Sequence, residues 1–203
     1  IIAVGGYVFQ NNETLTSITL PDTLIGIYTG AFSGTSQLTT IAIPASVTVV
    51  DTEAFRNSGV RTISFAEGSQ LQVIGRAAFE GTANLSSMDI PANVGELRER
   101  TFYQSGIQSI SFAQQSKLKS IGRYAFAESG LQAITLPDAV TLLDYDAFYG
   151  AKSLNVATLN NGLETIKGNV FYGSGLQNIT VPASVTYLGE TCFGGCQSLT
   201  AIE

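Results

Sequence analysis

The 203-residue chain has no histidine, no tryptophan, two cysteines and one methionine, and only 13% of its residues are charged. The missing histidine removes the commonest general base, metal ligand and near-neutral proton switch. It also excludes every Ser–His or Cys–His nucleophile pair. Cys192 and Cys196 stand four residues apart without further partners, whereas zinc takes four ligands. A disulfide between them would close a very short loop. No cofactor or metal is expected. Ten Lys and Arg face sixteen Asp and Glu with no basic run, which argues against nucleic acid and against anionic lipid. Long apolar runs are lacking too. The longest uncharged stretch, Thr23 to Val50, is broken by Gly, Ser, Thr, Gln and Pro44, so no membrane insertion is expected. The opening Ile1-Ile2-Ala3-Val4 is too short, and lacks the basic start, to read as a signal peptide.

What the chain has in plenty is a repeat. Phe9, Phe32, Phe55, Phe79, Phe102, Phe126, Phe148, Phe171 and Phe193 recur at steps of 22 to 24. A second series keeps step, from Leu15, Leu38 and Val60 through Leu154, Leu176 and Leu199. Three residues on come Ile18, Ile41, Ile63 and their counterparts, and two further on Leu20, Ile43 and Phe65. All five prolines share one phase: Pro21, Pro44, Pro91, Pro137 and Pro182. The unit reads L-x-x-I-x-L-P-x-x-V-x-x-I-x-x-x-A-F-x-G, followed by a short turn. Alternation around positions such as Ile179 and Val181 has the period of a strand, and Pro182 ends that strand by removing a donor. The spacing of Val185 and Leu188 suits a tighter second segment. Gly34, Gly81, Gly150 and Gly173 supply the positive φ of a closing turn.

Such a unit cannot hide about six apolar side chains alone, because both of its flat faces are open. Stacking at roughly the 4.8 Å strand spacing buries them in a continuous column. The sequence therefore predicts one right-handed β-solenoid of about nine coils of 22–25 residues, with a parallel sheet and short or helical turns, filling residues 1–203 as a single domain. In two units, Phe65 to Leu71 and Phe112 to Leu118, two extra residues replace the Pro-containing link, and bulged turns are expected there. In the unit of Leu154 the link Leu159-Asn160-Asn161-Gly162-Leu163 keeps its length and swaps Pro for Asn-Gly. Ile1 and Val4 align with Leu24 and Ile27, so the chain starts in mid-unit, and it also stops in one. The expectation is a segment of a longer array, or ends covered by self-association.

These residues resemble the BspA-type, or Treponema-type, leucine-rich repeat, whose pattern is close to L-x-x-I-x-L-P-x-x-V-T-x-I-G-x-x-A-F-x-G-C. Leu131-Gln132-Ala133-Ile134-Thr135-Leu136-Pro137 and Val185-Thr186-Tyr187-Leu188-Gly189 carry the likeness, and Gly195-Cys196 matches its Gly-Cys step. The resemblance spans the whole chain. It implies a leucine-rich-repeat solenoid from a secreted or cell-surface protein, linked to adhesion and to binding of protein or glycan on a host or neighbouring cell. It supplies no catalytic residue.

In a solenoid a functional surface is a row of residues at one phase. The outward positions flanking the conserved Ile (Ser17 and Thr19, Thr40 and Ala42, Thr62 and Ser64 and their successors) are small and hydroxyl-rich. They read either as packing between close strands or as a flat platform. A carbohydrate-cleaving site would need paired carboxylates on neighbouring coils. This face offers only Asp89 and Glu203, five coils apart, so an enzyme is not expected. Three residues before the Phe, Arg76, Glu99 and Arg123 form a charged ladder, with Asp144 and Lys167 beside it. These read as solvated ion pairs or a polar recognition patch. Tyr103, Tyr149 and Tyr172 each follow a Phe, and Tyr145, Tyr124 and Tyr187 lie near in sequence. Tyr103, Tyr149, Tyr172 and Tyr145 are the candidate ligand-binding residues, since Tyr favours interfaces. The alternative is that each Tyr covers the apolar edge of its own coil. Asn-x-Ser/Thr acceptors stand at Asn12, Asn84 and Asn178.

Overall fold

The computed structural model describes residues 2–203, all in one stack of parallel coils. The expected alignment of Ile1 with Leu24 lies outside the described residues. The strands run β1 (Ala3–Val4), β2 (Gly26–Ile27), β3 (Thr40–Ile43), β4 (Val49–Val50), β5 (Thr62–Phe65), β6 (Val73–Ile74), β7 (Ser87–Ile90), β8 (Glu96–Leu97) and β9 (Ser109–Phe112). They continue with β10 (Ser120–Ile121), β11 (Ala133–Thr135), β12 (Leu142–Leu143), β13 (Val156–Thr158), β14 (Thr165–Ile166), β15 (Asn178–Ile179), β16 (Tyr187–Leu188) and β17 (Ala201–Ile202). No helix occurs among the described residues. The predicted parallel β-solenoid of about nine coils is the fold observed, and its connections are turns.

The continuous sheet is not where the strand-like alternation lies. Nine two-residue strands, β1-β2-β4-β6-β8-β10-β12-β14-β16, form it, one from each coil's second segment. The alternating L-x-x-I-x-L segments pair only two by two: β3 with β5, β7 with β9, β11 with β13, β15 with β17. Proline accounts for the breaks. In the pairs β3–β5 and β7–β9 the later strand ends without Pro and the next residue donates back, Ala66 to Ile43 and Ala113 to Ile90, both at 3.0 Å. Pro91, Pro137 and Pro182 hold that same position after β7, after Leu136 and after Val181, and have no N–H to give. Each break falls just before one of them. One such break, between β9 and β11, opens a groove of about 570 Å³ floored by Phe112, Ile134 and Leu136.

The core is the Phe column. From Phe9 to Phe193 each ring stacks on the next, with centroids 5.2–5.7 Å apart and planes within 16°. The seven inner rings are fully buried, packed with Leu24, Leu38, Ile74, Leu97 and their equivalents. Each buried ring contributes roughly 1.5–3 kcal/mol of transfer free energy before its entropy loss.

The turn that delivers each Phe uses two left-handed residues, one two positions before the ring and one two after. Around Phe126 these are Tyr124 (φ 55°) and Glu128 (φ 54°). Around Phe148 they are Asp146 (φ 60°) and Gly150 (φ 63°). Gly34, Gly81, Gly150 and Gly173 have the positive φ expected of them. Non-glycine residues in this region cost of order 1–3 kcal/mol each. Bonds to the next coil hold them: Tyr124 N to Tyr145 O at 3.3 Å, Phe126 N to Ala147 O and Glu128 N to Tyr149 O both at 2.8 Å. The same three bonds recur along the stack and fix the turn's side chains in register.

Candidate functional site

These turns build the aromatic and charged surface on which the candidate residues lie. The position after each Phe, from Phe55 onward, carries Arg56, Glu80, Tyr103, Ala127, Tyr149 and Tyr172 in successive coils. Because the turns repeat within the spacing of the Phe rings, neighbours in this column touch. Tyr149 and Tyr172 stack with centroids 5.3 Å apart and planes 6° from parallel. Tyr103 meets Tyr124 edge to face at 6.3 Å.

Charge is interleaved with the rings. Glu80 is 6% exposed and accepts from Arg100 Nη2 at 3.1 Å. Arg100 Nε stands 2.9 Å from the second carboxylate oxygen, off the hydrogen-bond line, and Arg56 closes from the other side at 3.1 Å. The Arg100 guanidinium also lies 4.3 Å from the centre of the Tyr103 ring, and Arg123 4.9 Å from that of Tyr124. Burial raises the Tyr103 phenol pKa, and the Glu128 carboxylate adds to the rise, against a lowering by Arg100. The hydrogen bond to the Tyr124 hydroxyl raises the Arg123 pKa further.

Two grooves cross this surface. The first, of about 550 Å³, is lined by Arg100, Tyr103, Tyr124, Glu128, Asp146, Tyr149 and Asn169. The second, of about 510 Å³, lies between Glu128, Lys152, Tyr149 and Tyr172, with Gly150 and Gly173 beside the rings. At φ 63° and 67° these glycines take the left-handed turn without a side chain to fill the groove.

The structure thus brings three of the four candidate tyrosines onto this surface, Tyr103, Tyr149 and Tyr172. Tyr145 lines neither groove and stands 46% exposed. It pairs instead with Lys167, whose Nζ is 5.7 Å from its ring centre and 5.3 Å from that of Tyr187. The charged ladder differs from its sequence reading. Arg76 and Glu99 pair at 3.4 Å, but Arg123 pairs with Asp146 at 3.6 Å. Asp144 caps the Tyr145 amide, while Lys167 turns to the rings. Sequence reasoning missed Glu80, Arg100, Glu128 and Asp146. Their signal was available in principle, because all four sit one or two residues from a repeat Phe.

The hydroxyl-rich strand face is exposed throughout, with Ser111 hydrogen-bonded to Asp89. Among the described residues no three His, Cys, Asp or Glu side chains gather to hold a metal. Cys192 and Cys196 are both free. Burial pushes the Cys192 thiol up to about 11, and Cys196 Sγ donates to Phe171 O at 2.9 Å. No helix among the described residues is long and apolar enough to cross a membrane.

Comparison with known proteins places this architecture. A leucine-rich-repeat protein from Bacteroides ovatus superposes with a TM-score of 0.60 at 22% identity, over 98% of this chain and 63% of that one. The pneumococcal vaccine antigen PcpA gives 0.58 at 21% identity, over 93% and 70%. A leucine-rich cell surface protein from Faecalibacterium prausnitzii gives 0.50 at 23% identity, over 100% and 57%. At these identities the likeness is one of fold. The chain spans less than two thirds of the first of these proteins. No curated protein matches it. The model of the BspA-type leucine-rich repeat region matches in six copies over residues 2–129 and 119–203. A stack of nine rings built on the same unit that this model describes belongs to the BspA-type leucine-rich repeat family.

Proposed function

We propose that this solenoid is a non-catalytic interaction module of a secreted or cell-surface protein, binding a protein or glycan of a host or neighbouring cell through its Phe-turn face. The observation that carries the reading is the stacked pair Tyr149–Tyr172 beside the Arg100–Tyr103–Tyr124 group. Half-exposed rigid rings with interleaved Arg are what interface hot spots are made of. Coil-to-coil backbone hydrogen bonds hold the turns that carry these rings, so little backbone entropy is lost on binding. Family membership supports the reading. So does the description of one similar structure as a leucine-rich cell surface protein.

An architectural spacer is the rival, favoured by the unbroken Phe column, which makes a stiff rod whatever its surface does. Arrays of extracellular-matrix proteins and of glycans, probed with the folded chain, separate the two. Saturable binding that a Tyr149→Ser, Tyr172→Ser double variant loses supports the module. Silence on every array supports the spacer.

A further inference from the structure

Along the column after the Phe, aromatic side chains stand at Tyr103, Tyr149 and Tyr172, and the series is interrupted once, at Ala127. The step from Tyr103 to Tyr149 therefore covers two coils, each near the 5.3 Å that separates the Tyr149 and Tyr172 rings. One ring's thickness is missing from the stack, and Tyr124, entering edge-on from the preceding turn position, fills only part of it. The groove of about 550 Å³ opens there.

Its rim narrows the chemistry of what fits. Arg100 and Arg123 already occupy the cation positions over the Tyr103 and Tyr124 rings. An anion would meet the Glu128 carboxylate. A wholly apolar group would bury those polar side chains without partners. What remains is neutral, ring-shaped and able both to donate and to accept hydrogen bonds. The groove supplies both counterparts. Glu128 uses Oε2 for Gln104 at 2.8 Å and leaves Oε1 as an acceptor. Asn169 takes the Thr191 hydroxyl on its amide oxygen and leaves the amide nitrogen as a donor.

We infer that this groove binds a neutral hexopyranose unit of a glycan, its C–H face stacked on the Tyr149 ring and its hydroxyls shared between Glu128 and Asn169. The inference rests on the reading of the Phe-turn face as a binding surface and narrows its ligand class at this one position. The ring enters the gap left by Ala127 in the aromatic series. The arginines stay with Glu80 and Asp146 and set the width of the groove rather than the charge of the ligand.

The test is calorimetric titration of the folded chain with neutral oligomers of glucose, galactose, mannose and N-acetylglucosamine. A sialylated oligosaccharide and N-trimethyllysine serve as the anionic and cationic probes. Tyr149→Ala, Glu128→Gln and Ala127→Tyr are titrated in parallel, each checked for an unchanged thermal transition. Ala127→Tyr restores the ring that the series lacks, and Tyr149→Ala keeps the test decisive if that variant fails to fold. At least one neutral oligomer binds saturably to the parent chain, and Tyr149→Ala weakens it about tenfold or more. The inference is overturned if only the charged probes bind, or if neutral binding survives Tyr149→Ala and Glu128→Gln unchanged. It is also overturned if every sugar is silent while a protein bound by the parent chain is still captured. That last outcome leaves the broader interaction role standing, whereas silence toward sugars and proteins alike removes both.

Discussion

Phe126 and Phe148 lie face to face, centroids 5.4 Å apart and planes 3° from parallel, and neither has any exposed surface. Two residues separated by 22 positions occupy equivalent sites because each is delivered by the same left-handed turn, and each turn is bonded to the next. Phe126 also stacks on Phe102 at 5.2 Å, so its loss opens a void between two rings. Phe126→Ala is expected to cost about 3–5 kcal/mol of stability, and Phe126→Leu distinctly less. Urea unfolding followed by circular dichroism checks both. Because each coil touches only its neighbours, the loss should broaden the transition as well as shift it.

Pro91 carries a second prediction. By register with Ala66 and Ala113, an alanine at position 91 would place an N–H toward the Phe65 carbonyl and bridge β5 to β7. The new bond contributes about 1 kcal/mol. The lost proline costs about 0.4–1 kcal/mol through the unfolded chain. Net stability should therefore change little in Pro91→Ala, while the amide at position 91 becomes protected in hydrogen exchange. An amide that exchanges at the rate of an open loop would show that proline is not what separates the strand pairs.

Much of this was legible in the sequence. The Phe column follows from its spacing, and the glycines at the turn from theirs. The site of the continuous sheet was not legible. Segments such as Val49–Val50 are two residues long and carry no alternation, while the segments that do alternate are broken by prolines whose missing donors act on the neighbouring coil. The candidate surface was half legible. Tyr149 and Tyr172 follow Phe in adjacent units and do stack. Tyr145 looked equivalent by proximity in sequence, but it falls three residues before its Phe and lies apart from both grooves. Glu80 and Arg100 went unread, because their pairing across coils depends on the left-handed turn at Arg100 (φ 61°), which no glycine marks.

Glu80 holds two arginines together, Arg56 at 3.1 Å and Arg100 at 2.9 Å. Its carboxylate is nearly covered, but both arginines are about one third exposed or more, so solvent screening reduces what the cluster contributes. Glu80→Ala is expected to lower stability by about 1–2 kcal/mol, with a larger deficit at low salt than at 1 M. It should also free Arg100 from its place over Tyr103. Thermal melts at two ionic strengths measure the first effect, and tyrosine fluorescence the second.

Cys192 offers a pH-dependent handle. Its thiol is raised by burial from an ordinary value near 9 to about 11. Between those values the folded state holds a proton that the unfolded state has released, so stability falls as pH rises. The contribution is whole below pH 9 and is lost on passing 11. A Cys192→Ala variant should lack this part of the alkaline decline, read as the difference between two melting-temperature profiles from pH 8 to 11. In the parent chain at pH 7.5, Cys192 should resist thiol reagents until the fold opens.

Partners are expected to engage the Phe-turn face. The direct measurement is the affinity of a captured partner for the Tyr149→Ser, Tyr172→Ser double variant, set against a Thr158→Asp, Thr180→Asp variant of the opposite, hydroxyl-rich strand face. A loss of about tenfold or more in the first, with near-parent binding in the second, is the expected result. Unchanged affinity in the tyrosine variant, or a loss confined to the strand-face variant, would contradict it.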